Sequence, residues 1–316
     1  MQLFKALGFR FLLGIVSLLF ISFLTFVACD LAPGDAALYN AGEKASEERI
    51  EQIREQMGLN RPLLVQYGSY IRGLAKGDWG ESYSGTHEPV LDKLKRTVPM
   101  TAKVAVLAIT LASAIGIFLG TISALKEKKI TDRSILTLST LGVTLPNFVL
   151  APILVYIFAV KLDMLPTTWE SDLRAPEWMY LLLPVVVLSL RPTALITRLT
   201  RASMIETLKQ EFIRTAIAKG VPRFRLVTKY ALRNAILPVI TSIGTTFGFL
   251  LTGSFVAERV FTIPGVGSET IEAILRKDVP VIQGCVLATG IMFVVINTIV
   301  DLLLPILDPR IREAQV

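Results

Sequence analysis

Histidine is nearly missing: the chain has one, His87, in 316 residues. That excludes a His-Glu-x-x-His metal motif and any relay of imidazoles. Cysteine is scarce too. Cys29 and Cys285 supply neither a disulfide framework nor metal-ligand spacing, so no metal and no cofactor is expected. No Gly-x-x-x-x-Gly-Lys-Ser/Thr loop occurs to cradle nucleotide phosphates. The chain is therefore not expected to be an enzyme or to hydrolyse ATP itself. Charge is thin: Asp, Glu, Lys and Arg make up 19%, against about 25% in soluble domains. No internal repeat is visible, and only one ionisable residue lies centrally in an apolar run. A secondary transporter would usually carry both features.

What the chain has is apolar length. Hydrophobic residues make up 52%, gathered in runs near 11–28, 100–124, 135–160, 179–200, 236–257 and 281–303. Each approaches the roughly 20 residues of a membrane crossing. The first follows Lys5 and Arg10, as a signal peptide would, and Phe26-Val-Ala-Cys29 faintly resembles a lipoprotein cleavage site. Five more runs follow it, so it reads as a retained helix. The expected fold is all-α and integral to the membrane, with six transmembrane helices. Its parts are an N-terminal helix (1–28), a helical segment (29–98), a five-helix core (99–303) with a polar loop (201–235), and a tail (304–316).

The net charge of +7 sits in loops beside apolar runs, which suits orientation better than nucleic-acid binding. Lys126, Lys128, Lys129 and Arg133 share one short loop, and the 201–235 loop holds eight basic residues. Arg310 and Arg312 lie in the tail. The alternate short loops hold few: Lys161 and Arg174 in one, Arg259, Arg276 and Lys277 in the other. Both termini are therefore expected in the cytoplasm. Trp169, Trp178 and Tyr180 would then mark the outer interface.

The 29–98 segment should have its own structure outside the cytoplasm. Ser46 is placed to cap a helix carrying Ile50, Ile53 and Met57 and ended by Gly58. Pro62 starts a second, with Leu63, Tyr67, Tyr70 and Leu74 on its apolar face. Gly77-Asp-Trp-Gly80 breaks that helix. Val90, Leu91 and Leu94 predict a short surface helix leading into the membrane. His87 reads as a solvated loop residue.

Within the spans, Thr144-Leu-Pro-Asn-Phe148 breaks the third, with Pro152 beyond it, and Pro184 and Pro192 break the fourth. Broken helices often line a pathway, though simple kinks are equally consistent. Arg191 lies about eleven residues into its span, roughly 16 Å at 1.5 Å per residue. A charge so deep belongs in a bundle interior or a wet cavity. It serves either as a pathway cation for a substrate carboxylate or as a structural partner of a carboxylate or of freed carbonyls, with Asp301 one such partner. Lys103 is near enough to an interface to snorkel.

The organising stretch is the polar island 206–238. Ile205, Leu208, Phe212 and Ala216 recur at three- and four-residue intervals, as on one face of an amphipathic helix. Gly220 fits a C′ position with φ > 0, and Pro222 the first turn of a second helix. Two short basic helices joined by a Gly-Val-Pro turn are predicted.

This island resembles the cytoplasmic "EAA" loop of ABC-importer permease subunits. Ala216 and Gly220 match that pattern, and Tyr230, Leu232 and Pro238 fit its tail. Arg214 and Thr215 replace its Glu and first Ala, and Arg233 its first Pro. The run Arg214-Thr-Ala-x-x-Lys-Gly220, with Ala231-Leu-Arg-Asn-Ala-x-Leu-Pro238, is similar to the variant found in dipeptide, oligopeptide and nickel permeases. Gly77-Asp-Trp-Gly-Glu-Ser82, Phe261-Thr-Ile-Pro-Gly-Val-Gly267 and Leu307-Asp-Pro-Arg-Ile-Arg312 also resemble signatures of that family. The resemblance implies a type I ABC importer in a bacterial or archaeal cytoplasmic (inner) membrane. It implies a homologous second permease, two ATP-binding subunits and an extracytoplasmic substrate-binding protein as partners, with alternating access driven by ATP. The ATPase-docking residues would be Arg214, Thr215, Ala216, Lys219, Gly220, Val221 and Pro222. Arg191, Pro146 and Asn147 are candidates for the translocation pathway, and Asp78 and Trp79 for binding-protein contact. Short peptides are the implied substrates, with nickel chelates, glutathione or sugars as alternatives.

Overall fold

The computed structural model describes residues 2–32, 36–42, 45–84, 87–170 and 174–307, and among them every regular element is helical. In order they are α1 (Gln2–Leu31), α2 (Ala36–Ala41), α3 (Glu47–Gln56), α4 (Leu63–Ala75), α5 (Val90–Leu125), α6 (Ile130–Thr144) and α7 (Asn147–Val155). A π-helical turn, Tyr156–Lys161, prolongs α7. There follow α8 (Glu177–Leu208), α9 (Glu211–Ala218), α10 (Arg223–Arg225), a second π turn (Leu226–Ala231), α11 (Leu232–Val260), α12 (Val266–Arg276) and α13 (Val279–Leu307). Five of these stretches are long and apolar enough to cross a membrane, and the pair α6–α7, bent by 99°, makes a sixth when counted as one span. The expected third span is therefore a bent pair, turning at Leu145-Pro146. Pro146 is the N-cap of α7, and the residue before a proline is pushed out of helical geometry.

Two expectations about proline and helix boundaries fail. Pro184 and Pro192 do not break the fourth span, because α8 runs through both. Each removes one hydrogen bond, but both rings are buried, and packing holds the helix together around them. No separate surface helix forms at Val90–Leu94 either. Those residues open the 36-residue α5, which continues through Pro99. The expected boundary at residue 98 thus falls inside a helix.

The chain divides into two compact units, Met1–Ala102 with Thr262–Val294, and Lys103–Phe261 with Val295–Val316. In the first unit, local signals act as read. Ser46 Oγ accepts from the Arg49 N–H, and α3 ends at Gly58 with φ +69°. Pro62 precedes α4, which ends at Gly77 with φ +84°. The Tyr67 hydroxyl of α4 donates to the Leu19 carbonyl of α1 at 3.0 Å, and its ring meets Phe23 edge-on at 5.2 Å. Gly14 admits Val294 so closely that a Cβ would lie 2.8 Å from it. Small residues permit such helix contacts in membranes. Leu12, Val16 and Phe20 form an exposed apolar stripe along α1. The unit's core joins Val90, Leu94, Val266, Ala273, Val281 and Cys285, with Trp79 and Cys29 packed against it. Both cysteines are free.

In the second unit α8 is the axis, with Leu188, Ile196 and Met204 almost fully buried. Gly116 and Gly120, spaced as Gly-x-x-x-Gly, bring α5 against it. A Cβ at Gly120 would lie 2.6 Å from the Thr197 carbonyl oxygen. Gly142 brings α6 against Leu190. Lys103, partly exposed, pairs with Glu177 at 2.7 Å. Trp169 packs on the buried Tyr180 at 5.7 Å, while Trp178 is exposed.

Candidate functional site

The predicted 206–219 helix is two pieces. Ile205 and Leu208 complete α8, the chain turns at Lys209–Gln210, and α9 starts at Glu211. The turn shifts the apolar register. Ile213 (1% exposed) and Ala216 face inward, whereas Phe212 is 41% exposed. Ile213 and Ala216 join Ala124 of α5, Met204 of α8, and Leu226, Ala231 and Ala235 in one buried cluster. The segment is thus seated on the ends of two long helices.

The turn after α9 has the predicted geometry. Gly220 has φ +72°, its N–H donates to the Ile217 carbonyl, and the Val221 N–H reaches the Ala216 carbonyl. This paired closure satisfies the last carbonyls of the helix. Pro222 caps the next piece, but a separate second helix does not form. Three residues of α10 pass through the π turn directly into α11. Arg214, Thr215, Lys219, Gly220 and Pro222 are exposed, Val221 is half-buried, and Ala216 is buried. Ile217 (58%) and Phe224 (82%) stand out among them. Large apolar side chains exposed beside basic ones are the composition of a protein contact.

Just ahead of this segment lies a site that the sequence reading passed over. Arg201 forms two hydrogen bonds with the Asp132 carboxylate, at 2.6 and 2.7 Å. Asp132 also accepts from the Ser123 hydroxyl and, at 2.9 Å, from the Lys128 N–H. One buried carboxylate thereby ties the end of α5, its following turn and α6 to α8. By sequence Arg201 reads only as a basic loop residue. The available signal was Asp132 itself, an acid in the first turn of a helix beginning just after Lys128-Lys129.

Arg191 and Asn147 line one cleft of about 430 Å³, with Leu188, Pro192, Thr245 and Phe249. Pro146 adjoins it as the N-cap of α7. Arg191 makes no hydrogen bond or ion pair among the described residues, and the Asp301 side chain lies outside them.

In the first unit, the Asp78 carboxylate accepts from the Gly80 N–H at 2.9 Å, turning the chain at the Gly-Asp-Trp-Gly break. Asp78 is exposed, and Trp79 is half-buried on the core. Ser82, Tyr83 and Ser84 all donate to the buried Asp278. Burial, aided by that carboxylate, pushes the Tyr83 phenol up to about 12. His87 is exposed, as its sequence suggests, with Nδ1 3.2 Å from the Ser82 carbonyl oxygen. Asp278 follows Lys277, a non-glycine residue with φ +54° that ends α12. That helix was not foreseen from the Phe261–Gly267 turn. The Leu307–Arg312 motif lies outside the described residues beyond Leu307.

Long apolar helices with an anchored polar segment between two of them define a multi-pass helical membrane protein. Residues 116–313 match the family described as "Binding-protein-dependent transport system inner membrane component". Residues 3–105 match the N-terminal membrane component of such systems. The chain belongs to this family of inner-membrane transport components. It is 38% identical over 304 residues to the dipeptide transport system permease protein DppB of Bacillus subtilis (strain 168), covering 96% of each chain. It is 37% identical over 302 residues to the glutathione transport system permease protein GsiC of Escherichia coli (strain K12), covering 95% of this chain and 97% of that one.

Proposed function

We propose that the chain is the permease subunit of an ATP-driven importer of short peptides, working by alternating access, and that the 209–222 segment receives an ATP-binding subunit. The observation carrying the docking role is the seated α9. Ile213 and Ala216 anchor it between Ala124 and Met204, while Phe212, Ile217 and Phe224 remain exposed next to Arg214 and Lys219. A helix held rigidly to two long helices passes a push on to them; a loose loop would absorb it. The named activities of the relatives, dipeptide and glutathione transport, support peptides as substrate.

The assembly in this reading has a second homologous permease, two ATP-binding subunits and an extracytoplasmic binding protein. Both termini lie in the cytoplasm, as the basic loops favour. The 29–98 segment faces outward, with Asp78 and Trp79 on the binding-protein side. Arg191, Pro146 and Asn147 border the pathway.

Co-purification tests the docking role. Phe224→Glu places a charge on an exposed position and should leave insertion intact. It should abolish capture of the ATP-binding subunits by tagged permease and stop dipeptide uptake. Gly220→Asp, strained by roughly 1 kcal/mol at φ > 0, should assemble but fail to couple ATP hydrolysis to uptake. Normal capture and uptake in both variants would refute the assignment.

A further inference from the structure

The cleft around Arg191 has a chemistry of its own. Its volume of about 430 Å³ falls within the roughly 300–1,000 Å³ of small-molecule sites. Arg191 is the one charged side chain lining it among the described residues, so no carboxylate neutralises the guanidinium there. Even on lenient insertion scales an arginine at a helix centre costs about 2.5–3.5 kcal/mol. Such a charge is retained where it meets an anion or water. The other polar groups on the walls are Asn147, Thr245 and Thr246, neutral hydrogen-bonding side chains. Asn147 opens α7 directly after the 99° break, and α7 has no side-chain cap. The partial positive charge of a helix start adds to that of Arg191. Leu188, Pro192 and Phe249 supply apolar wall.

We infer that this cleft is a carboxylate-selective binding site, taking the C-terminal carboxylate of a short peptide on Arg191 and its apolar side chains on the leucine and phenylalanine walls. The guanidinium suits a carboxylate because its forked N–H groups match the two oxygens. Among the described residues that line the cleft, none is acidic to hold a terminal ammonium, so selection falls on the carboxylate end. The inference rests on the peptide-permease reading for the identity of the ligand, not for the charge it carries.

The test is equilibrium binding of radiolabelled dialanine to the purified transporter complex without its binding protein, alongside dialanine amide, which lacks only the terminal charge. Dialanine should bind saturably, and the amide at least tenfold more weakly. Arg191→Gln should lower dialanine affinity at least tenfold and abolish the difference between the two ligands. Arg191→Lys, which keeps the charge but not the fork, should restore only part of it, and the melting temperature of the complex should not move. Equal binding of dialanine and its amide by the unsubstituted complex would overturn the inference without recourse to any variant. So would an Arg191→Gln complex that melts earlier yet binds dialanine normally, which would make Arg191 a structural residue. ATP-driven uptake is read separately. A complex that binds dialanine through Arg191 but moves no peptide refutes the transport reading and leaves the site standing. One that moves peptide without preferring the carboxylate does the reverse.

Discussion

The Ser84 hydroxyl donates a 3.0 Å hydrogen bond to the Asp278 carboxylate, 194 residues further along the chain. The Ser82 hydroxyl and the Tyr83 N–H, at 3.1 Å, donate to the same group. Asp278 is 1% exposed, so its charge is held by these donors and not by water. The Gly-Asp-Trp-Gly-Glu-Ser stretch is thereby fixed to the start of α13, and its serine has a structural use.

Asp278→Ala should therefore strip several buried donors of their acceptor. At about 1–3 kcal/mol for an unsatisfied buried group, the first unit should melt well below the parent and be cleaved by protease in the 80–90 loop. Asp278→Asn keeps one acceptor oxygen and should fall between the two. Thermal unfolding and limited proteolysis of the detergent-solubilised chain check both; an unchanged melt for Asp278→Ala would contradict this account.

Tyr83 predicts an alkaline limit. Its folded-state value near 12 exceeds the ordinary 10, so the folded chain holds the proton more tightly than the unfolded one. The contribution is complete below pH 10 and is lost as pH rises through about 12. Two units correspond to about 2.7 kcal/mol at most. The melting temperature should decline over pH 10–12, and less steeply in Tyr83→Phe. Parallel declines in the two proteins would remove Tyr83 as the cause.

Asp132 and Arg201 form a pair that is costly to break from one side. Asp132→Ala leaves Arg201, mostly buried, without its partner, a loss of about 3–5 kcal/mol in comparable buried pairs. Arg201→Lys keeps the charge but not the forked contact, and should lose less. A double-mutant cycle read by thermal melting should return a coupling of at least 1 kcal/mol. Additive single effects would deny the contact.

Gly120 tests the seam between α5 and α8. The carbonyl oxygen of Thr197 and the Cβ of Thr200 both lie 2.6 Å from where a Cβ would stand. Gly120→Ala should cost about 1–3 kcal/mol through overpacking, and Gly120→Leu should prevent stable folding. Gly68→Ala in α4 is the control, because nothing lies within 4 Å of that Cβ position. Equal melting temperatures for Gly120→Ala and Gly68→Ala would show that the seam yields.

The sequence alone determined what depends on near neighbours. Apolar runs long enough to span a bilayer named the membrane segments, since an unpaired backbone group in lipid is too costly for another structure. Ser46, Gly58, Pro62 and Gly77 delimited two helices through caps and positive φ. Gly220 marked its turn for the same reason, and Pro146 the break before α7. Tertiary structure decided what depends on distant residues meeting. Nothing local reveals that Arg201 belongs to Asp132, or Ser84 to Asp278, because each pairing is made by helices packing, not by spacing. Packing also carried α8 through Pro184 and Pro192, where local propensity predicted breaks. It rotated α9 so that Ile213 is buried and Phe212 exposed, since a two-residue turn at 209–210 resets a helical face that periodicity treats as continuous.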